Sequence, residues 1–300
     1  MSISVDNGLA IDSNELEQRQ PRPSILRLLL RNPLGAASLA TLALIVAAAI
    51  VLPAVLPYRW DTPTNDILAN PSARHLLGTD DSGYDTLVRL AEGARISLTV
   101  GIGVELIVLV IGSAVGLIAG YYGGAADTLL MRLTDMMFAF PDILLAILIM
   151  AIRGPGMPNV FAALAVTYWA GLARLVRGQT LTLRRREYVE AARAIGVPTS
   201  QILLRHIFPN LLSPLIVAST IDVANIIIGE ATLSFLGVGL QDPAPSWGRM
   251  IANPLISGYW LGHPNLVIYP AVCLTVTVLS INFLGDALRD VLDPRSRQGR

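Results

Sequence analysis

Four carboxylates stand inside long apolar runs of this 300-residue chain: Glu105, Asp142, Asp222 and Glu230. An ionised group in hydrocarbon is costly, so such residues face a wet cavity or a partner and mark pathways for solutes or protons. Asp222 and Asn225 are three residues apart, which puts them on one face of a helix. Two readings stay open for them, a polar lining for a passage and a polar clamp against a partner. Asp142 follows Pro141, where a helix-cap role also serves. Other chemistry is excluded by what is missing. All 22 basic residues are arginine, so no lysine is present for a nucleotide-binding P-loop, a Schiff base or a Ser-Lys dyad. His75, His206 and His263 are too scattered to make a metal site. The one cysteine, Cys273, lies in an apolar run, so no internal disulfide or thiolate cluster can form. Asp80, Asp81 and Asp85 lack the spacing of a calcium loop and read as turn and cap residues. No paired His/Asp set or G-x-S-x-G string in any apolar run supports an intramembrane hydrolase.

The elements that must position these residues are membrane spans. The chain is 53% hydrophobic and 15% charged, well below the roughly one quarter charged of soluble domains. Mean hydropathy is +0.57, and a net charge of zero argues against nucleic acid as a partner. A bilayer core takes about 20 helical residues. Runs near that length occupy Leu34–Leu52, Leu98–Gly120, Met136–Ile152, Val160–Val176, Leu211–Ala231 and Leu266–Leu284. Pro141 predicts a kink in the third. The polar region before Leu34 is too long for a signal peptide, and Pro53 and Pro57 follow in place of a small-residue cleavage site, so the first run is read as an uncleaved anchor. Residues 57–95 and 233–265 form the two longer connections, Tyr58 and Trp60 standing where interfacial aromatics would.

Six spans put both termini on one side, and the arginines choose the side. With the N-terminus cytoplasmic, the inner segments hold sixteen arginines, from Arg19 to Arg31, from Arg174 to Arg205 and from Arg289 to Arg300, with Arg132. The outer segments hold Arg59, Arg74, Arg89, Arg95, Arg153 and Arg249. This bias satisfies the positive-inside rule. The expected location is therefore a cell membrane, multi-pass, with N- and C-termini in the cytoplasm.

The longest polar stretch between two spans, Arg184–Asn210, has fold signals of its own. Glu187 and Glu190 open a helical pattern continued by Ala191, Ala192, Ala194 and Ile195. Gly196 is placed to end it in the left-handed conformation, and Pro198 cannot continue it. Thr199 or Ser200 is expected to cap a second short helix, after which Pro209 restarts the chain. Such a helix-turn-helix serves no purpose facing lipid and suits docking of a partner.

These residues carry a resemblance. Glu190-Ala191-Ala192, then Gly196, then His206-Ile207-Phe208-Pro209 resembles the EAA loop of permease subunits of binding-protein-dependent ABC importers, with His206 at the family's Ile position and Phe208 at its Leu position. Further strings resemble the peptide/nickel branch: His75-Leu76-Leu77-Gly78-Thr79-Asp80, Glu230-Ala231-Thr232-Leu233-Ser234-Phe235-Leu236-Gly237, Pro245-Ser246-Trp247-Gly248 and Asn282-Phe283-Leu284-Gly285-Asp286. They run in order from about His75 to Arg295. The resemblance implies an all-α membrane protein with six transmembrane helices and a cytoplasmic helix-turn-helix coupling loop, the type I importer permease fold. The expected layout is an N-terminal arm (1–33), a first span (34–56), an external segment (57–95), a five-helix core (96–295) containing the coupling loop (184–210), and a tail (296–300). It implies import of di- or oligopeptides, or by the same machinery nickel or glutathione. Its implied partners are a homologous second permease, two cytoplasmic ATP-binding subunits that bind ATP and Mg, and an external substrate-binding protein. This chain itself then has no enzymatic activity and holds no cofactor. Glu187, Glu190, Ala191, Ala192, Gly196, His206 and Pro209 become candidate ATPase-coupling residues, and Asp222, Asn225 and Glu230 candidates for the translocation path. An ion-coupled secondary transporter using Asp222 and Glu230 is the rival class; no inverted internal repeat supports it.

Overall fold

The computed structural model describes residues 25–292. The expected tail (296–300) and most of the arm (1–33) lie outside them. Helices are α1 (Ile25–Arg31), α2 (Pro33–Val55), α3 (Thr86–Tyr122), α4 (Gly124–Phe138), α5 (Asp142–Arg153), α6 (Met157–Leu183), α7 (Glu187–Ala194), α8 (Thr199–Gln201), α9 (Phe208–Phe235), α10 (Trp247–Ser257) and α11 (Asn265–Leu292). Among the described residues there is no β-strand, only an isolated bridge between Thr79 and Asp85.

Five helical stretches are long and apolar enough to span a bilayer, and α4 with α5 makes a sixth if the bent pair counts as one. The expected kink at Pro141 is a break: the chain turns by 88° between α4 and α5. Proline both withdraws a backbone donor and pushes the residue before it out of the helical region. Asn32 starts α2, its side chain accepting from the amides of Leu34 and Gly35 at 3.0 and 3.3 Å, with Pro33 at the first helical position where its missing N–H costs nothing.

The end of the 57–95 segment and the run beginning at Leu98 are one helix, α3, of 37 residues from Thr86 to Tyr122. α3 is the axis of the fold. In lipid no hydrophobic effect drives helices together, so close backbone approach must do it. Gly112, Gly116 and Gly120 recur every four residues on the face toward α6. A Cβ at Gly116 would lie 2.6 Å from the carbonyl oxygen of Ala173, and one at Gly120 would lie 2.7 Å from Thr180 Cβ. On another face Gly101 receives Ile227 of α9. Val100, Val104 and Val108 fill the contact, fully buried with Ile226 and Leu233.

The connection 233–265, read from sequence as an irregular loop, contains α10. Trp247 at its start is 1% exposed and donates its indole N–H to Leu90 O of α3 at 3.1 Å, seated on Gly93. The 57–95 segment is pinned in the same region. His75 is buried between Asp85, 2.9 Å from its Nδ1, and Asp66, 3.3 Å from its Nε2, with Tyr58 stacked 4.5 Å away. Asp85 also caps α3 by accepting from Val88 N at 3.0 Å, the cap role expected for this aspartate group. Arg89 joins Asp80 and Asp242, each at 3.3 Å, and so ties the two long connections together.

Candidate functional site

The coupling stretch is built from its turn outward. Glu187 and Glu190 sit in the first turn of α7, where the helix macrodipole favours anions. Gly196 has φ +80°. Its amide donates to Arg193 O at 3.1 Å, and the Val197 amide reaches back to Ala192 O at 3.0 Å. These are the two bonds of a Schellman turn, which needs the left-handed residue that glycine supplies. Val189 and Ala192 of α7 are buried against Ile202 and Ile207, with Val197 packed beside them. Glu187, Glu190, Ala191 and Ile195 point outward, and Ile195 is 81% exposed. An apolar side chain at that exposure, rimmed by two carboxylates, leaves α7 with an outer face the chain does not cover.

Two expectations here are corrected. Pro198, not Thr199 or Ser200, occupies the cap position of the second helix, and no side chain caps it. That helix is not separate from the span either: α8, a π-helical stretch Ile202–Ile207 and α9 run on as one 37-residue rod, Thr199–Phe235. Pro209 does not restart the chain. Its ring needs room at the preceding turn and it has no N–H to donate. The wider π turn just before it, in which Phe208 N donates five residues back to Leu203 O, accommodates the ring inside a continuous rod. His206 is half-buried, and its carbonyl accepts from Asn210 Nδ2 at 2.7 Å.

The helix-turn-helix is fastened to the end of α3. Arg184 donates through Nη1 to Gly120 O at 2.9 Å and Tyr121 O at 3.1 Å, satisfying carbonyls that the helix end leaves free. Arg193 lies 5.4 Å from the Tyr121 ring centroid. Between these pieces opens a depression of about 560 Å³, lined by Tyr121, Tyr122, Arg184, Arg185, Glu190 and Arg193 among others. Sequence reasoning used Arg184 and Arg193 only as topology signals. Their contacts join positions more than sixty residues apart, and no local pattern encodes that.

The carboxylates of the spans divide into two groups. Glu230 is completely buried; Ser234 Oγ donates to its Oε1 at 2.7 Å and in turn accepts from Leu240 N at 3.1 Å. Ser97 of α3 and Ser246 face the same carboxylate. Glu230 thus gathers α3, α9 and the start of α10 around one buried carboxyl group. Asp222 and Asn225 lie elsewhere on α9, half-buried and exposed respectively. The structure keeps these two together and apart from Glu230. Glu105, Ser219 and Tyr168 join them. Glu105 is 3% exposed and faces Ser219 and Asp222. Tyr168 Oη of α6 donates to Asn225 O at 3.2 Å, close enough to Asp142 and Asp222 to feel both. Ser219 and Tyr168 gave no sequence signal, because a hydroxyl in an apolar run is ordinary. Among the described residues no cluster of His, Cys, Asp and Glu is arranged to hold a metal ion.

Comparison with known proteins agrees with this architecture. The family described as "Binding-protein-dependent transport system inner membrane component" matches residues 112–298. The oligopeptide transport system permease protein OppC of Haemophilus influenzae is 42% identical over 290 residues, covering 96% of this chain and 93% of its own. The glutathione transport system permease protein GsiD of Pectobacterium atrosepticum is 41% identical over 279 residues, 92% of each chain. The dipeptide transport system permease protein DppC of Alkalihalophilus pseudofirmus is 40% identical over 266 residues, 86% of each. Among solved structures, inward facing conformations of the MetNI methionine ABC transporter align with a TM-score of 0.54 at 22% identity, over 68% of this chain and 96% of that one, a likeness of fold. The family match spans more than half the chain and agrees with the helix-turn-helix, the spans and their order: this protein is a member of the binding-protein-dependent transport system inner membrane component family.

Proposed function

We propose that this chain is one permease subunit of an ATP-driven importer and forms half of a translocation path for peptides delivered by an external binding protein. Its partners are then a homologous permease, two cytoplasmic ATP-binding subunits that carry the nucleotide and Mg, and the binding protein. The chain itself catalyses no covalent step. The observation that carries the reading is α7. Its inner face is packed on the rod that continues as α9, and its outer face, with Glu187, Glu190, Ala191 and Ile195, is left uncovered. A groove on an ATPase closing around that face moves α7 and α8 together, and the rod delivers the movement to Asp222 and Asn225 with no flexible loop between. Alternation between outward and inward openings follows if nucleotide binding favours one of two arrangements of the spans. The arginine bias supports a reading in which this docking face and both termini are on the cytoplasmic side of a cell membrane.

Peptide is preferred as cargo because oligopeptide and dipeptide permeases stand among the most similar relatives at 40–42% identity over most of the chain. The GsiD relative keeps glutathione as a second cargo. The test is reconstitution of the chain with its encoded partners in proteoliposomes. Uptake of labelled trialanine that requires ATP and the binding protein supports the reading. Uptake driven by an ion gradient without ATP overturns it in favour of a secondary transporter. Competition by glutathione but not by peptides moves the cargo to the second class.

A further inference from the structure

Glu105 lies in the middle of α3 with 3% of its surface exposed, and neither of its carboxylate oxygens has a hydrogen-bond partner. The Ser219 hydroxyl, which faces it from α9, is likewise without one. Asp222 adds a second carboxylate one turn further along α9. Further along α9, Tyr168 places a phenol on Asn225 O at 3.2 Å, beside Gly229. No basic residue lies in α3 beyond Arg95 or anywhere in α9. Among the described residues neither Glu105 nor Asp222 forms an ion pair.

A buried carboxylate with no cation beside it is among the least stable arrangements in a membrane. Glu230 has three serines around it, Ser234 bonded to Oε1 and Ser97 and Ser246 facing the same group. At Glu105 a single serine, Ser219, faces the carboxylate, and the neighbouring Asp222 is partly exposed. The chemistry that completes the site is a cation bearing several N–H donors, entering past Asp222.

We propose that Glu105, Ser219 and Asp222 form a station within the spans for a cationic group of the transported solute, an ammonium or a guanidinium. The carboxylates supply charge, and the serine oxygen accepts a remaining N–H group. The proposal rests on the reading of the chain as a peptide permease and adds which chemical group of the cargo this subunit touches. Two sources fit the chemistry, the amino terminus that peptides share and a basic side chain.

The test uses the complete transporter in proteoliposomes, with wild-type chain, Glu105→Gln and Asp222→Asn, and with Ala-Ala-Ala and Ala-Lys-Ala at concentrations that saturate the binding protein. Wild-type uptake of either peptide is the check on the peptide reading; if neither is taken up, that reading fails and this one with it. Given uptake, the variants are expected to assemble and to keep ATP hydrolysis in response to loaded binding protein, while uptake of Ala-Lys-Ala falls by about tenfold or more, the scale of a lost charged hydrogen bond. An equal fall for Ala-Ala-Ala assigns the site to the peptide amino terminus. Unchanged Ala-Ala-Ala uptake assigns it to basic side chains. Wild-type uptake of both peptides by both variants overturns the proposal. So does loss of the assembled complex in both, which makes the carboxylates a clamp between subunits; if only one variant assembles, its uptake decides.

Discussion

Substitution of Gly196 tests the docking geometry in graded steps. At φ +80° the cost of any side chain is conformational, and a Cβ built there meets nothing within 4 Å, so no steric term adds to it. A residue with a Cβ pays about 1–2 kcal/mol in the left-handed region, asparagine least among them, and a β-branched residue stands at or above the upper end. The competing outcome is relaxation of the turn, which breaks the Gly196 N–Arg193 O and Val197 N–Ala192 O bonds at about 0.5–1.5 kcal/mol each. The two costs are of similar size. Alanine therefore keeps the turn in most molecules, whereas valine, at about 2 kcal/mol or more, shifts a large share into a relaxed form in which α8 leaves α7 at another angle. The expected order of ATPase binding and ATP-dependent uptake in proteoliposomes is glycine, asparagine, alanine, valine. Folding of the spans should be unchanged in all four, because Gly196 is exposed and outside the core. Full coupling in Gly196→Val, or a larger loss for asparagine than for valine, refutes the argument that this backbone conformation sets the docking angle.

Glu190→Arg is expected to abolish pull-down of the ATP-binding subunit and uptake together. The bland role for Glu190, an i, i+4 pair with Arg186, is worth only about 0.2–0.5 kcal/mol and cannot hold a complex, so normal binding by this variant would remove Glu190 from the docking face. Arg184→Ala removes both bonds to Gly120 O and Tyr121 O and should cost about 2–3 kcal/mol, read as a lower thermal midpoint of the purified complex, with Arg184→Lys recovering only part. In a chain with Cys273 replaced by alanine, Ser82→Cys should react with an impermeant thiol reagent in intact cells and Ser200→Cys only after permeabilisation, since both positions are exposed at opposite ends of the spans. Labelling of Ser200→Cys in intact cells would invert the topology.

What was legible in the sequence was periodic or punctuated. Apolar runs of bilayer length located the spans, and Gly196 with Pro198 located the turn to the residue, because each rule concerns neighbours in the chain. The failures share one cause. The start of α3 falls in the 57–95 connection because Arg89, Glu92 and Arg95 interrupt the apolar run. In three dimensions Arg89 is satisfied by Asp80 and Asp242, partners 9 and 153 residues away. α10 reads as loop because proline and glycine surround Trp247, yet that indole is anchored on Leu90, 157 residues distant. At Pro209 the local rule for proline is sound, but a π turn absorbs the ring by widening the helix locally. Of the candidate path residues, the sequence paired Asp222 with Asn225 on one helix face and named Glu230 beside them, without showing what surrounds each. Only packing distinguishes a carboxylate ringed by serines from one left open.

The continuity of Thr199–Phe235 bears directly on how a docking event reaches the membrane. At 1.5 Å per residue the rod is about 55 Å long, and Asp222 stands about 35 Å from its Thr199 end. A flexible connection at Pro209 would let α7 and α8 turn without moving the spans. A rigid rod does not: any tilt imposed at α8 is shared by Asp222 and Asn225, and by the Tyr168 hydroxyl bonded to Asn225 O. One place where the rod can change pitch is the π stretch Ile202–Ile207, since converting a π turn to an α turn removes one residue per turn and rotates the α9 segment beyond it; Pro214 inside α9 is a second interruption of the bonding. Ile202 and Ile207, at its two ends, are buried against Val189 and Ala192 of α7, so that rotation is held by the same contacts that hold the docking helix. On the proposed mechanism, coupling therefore depends on packing inside this chain as much as on the surface offered to the ATPase. Loosening Ile207 or Val189 to alanine would let α7 dock normally while the movement fails to reach the spans.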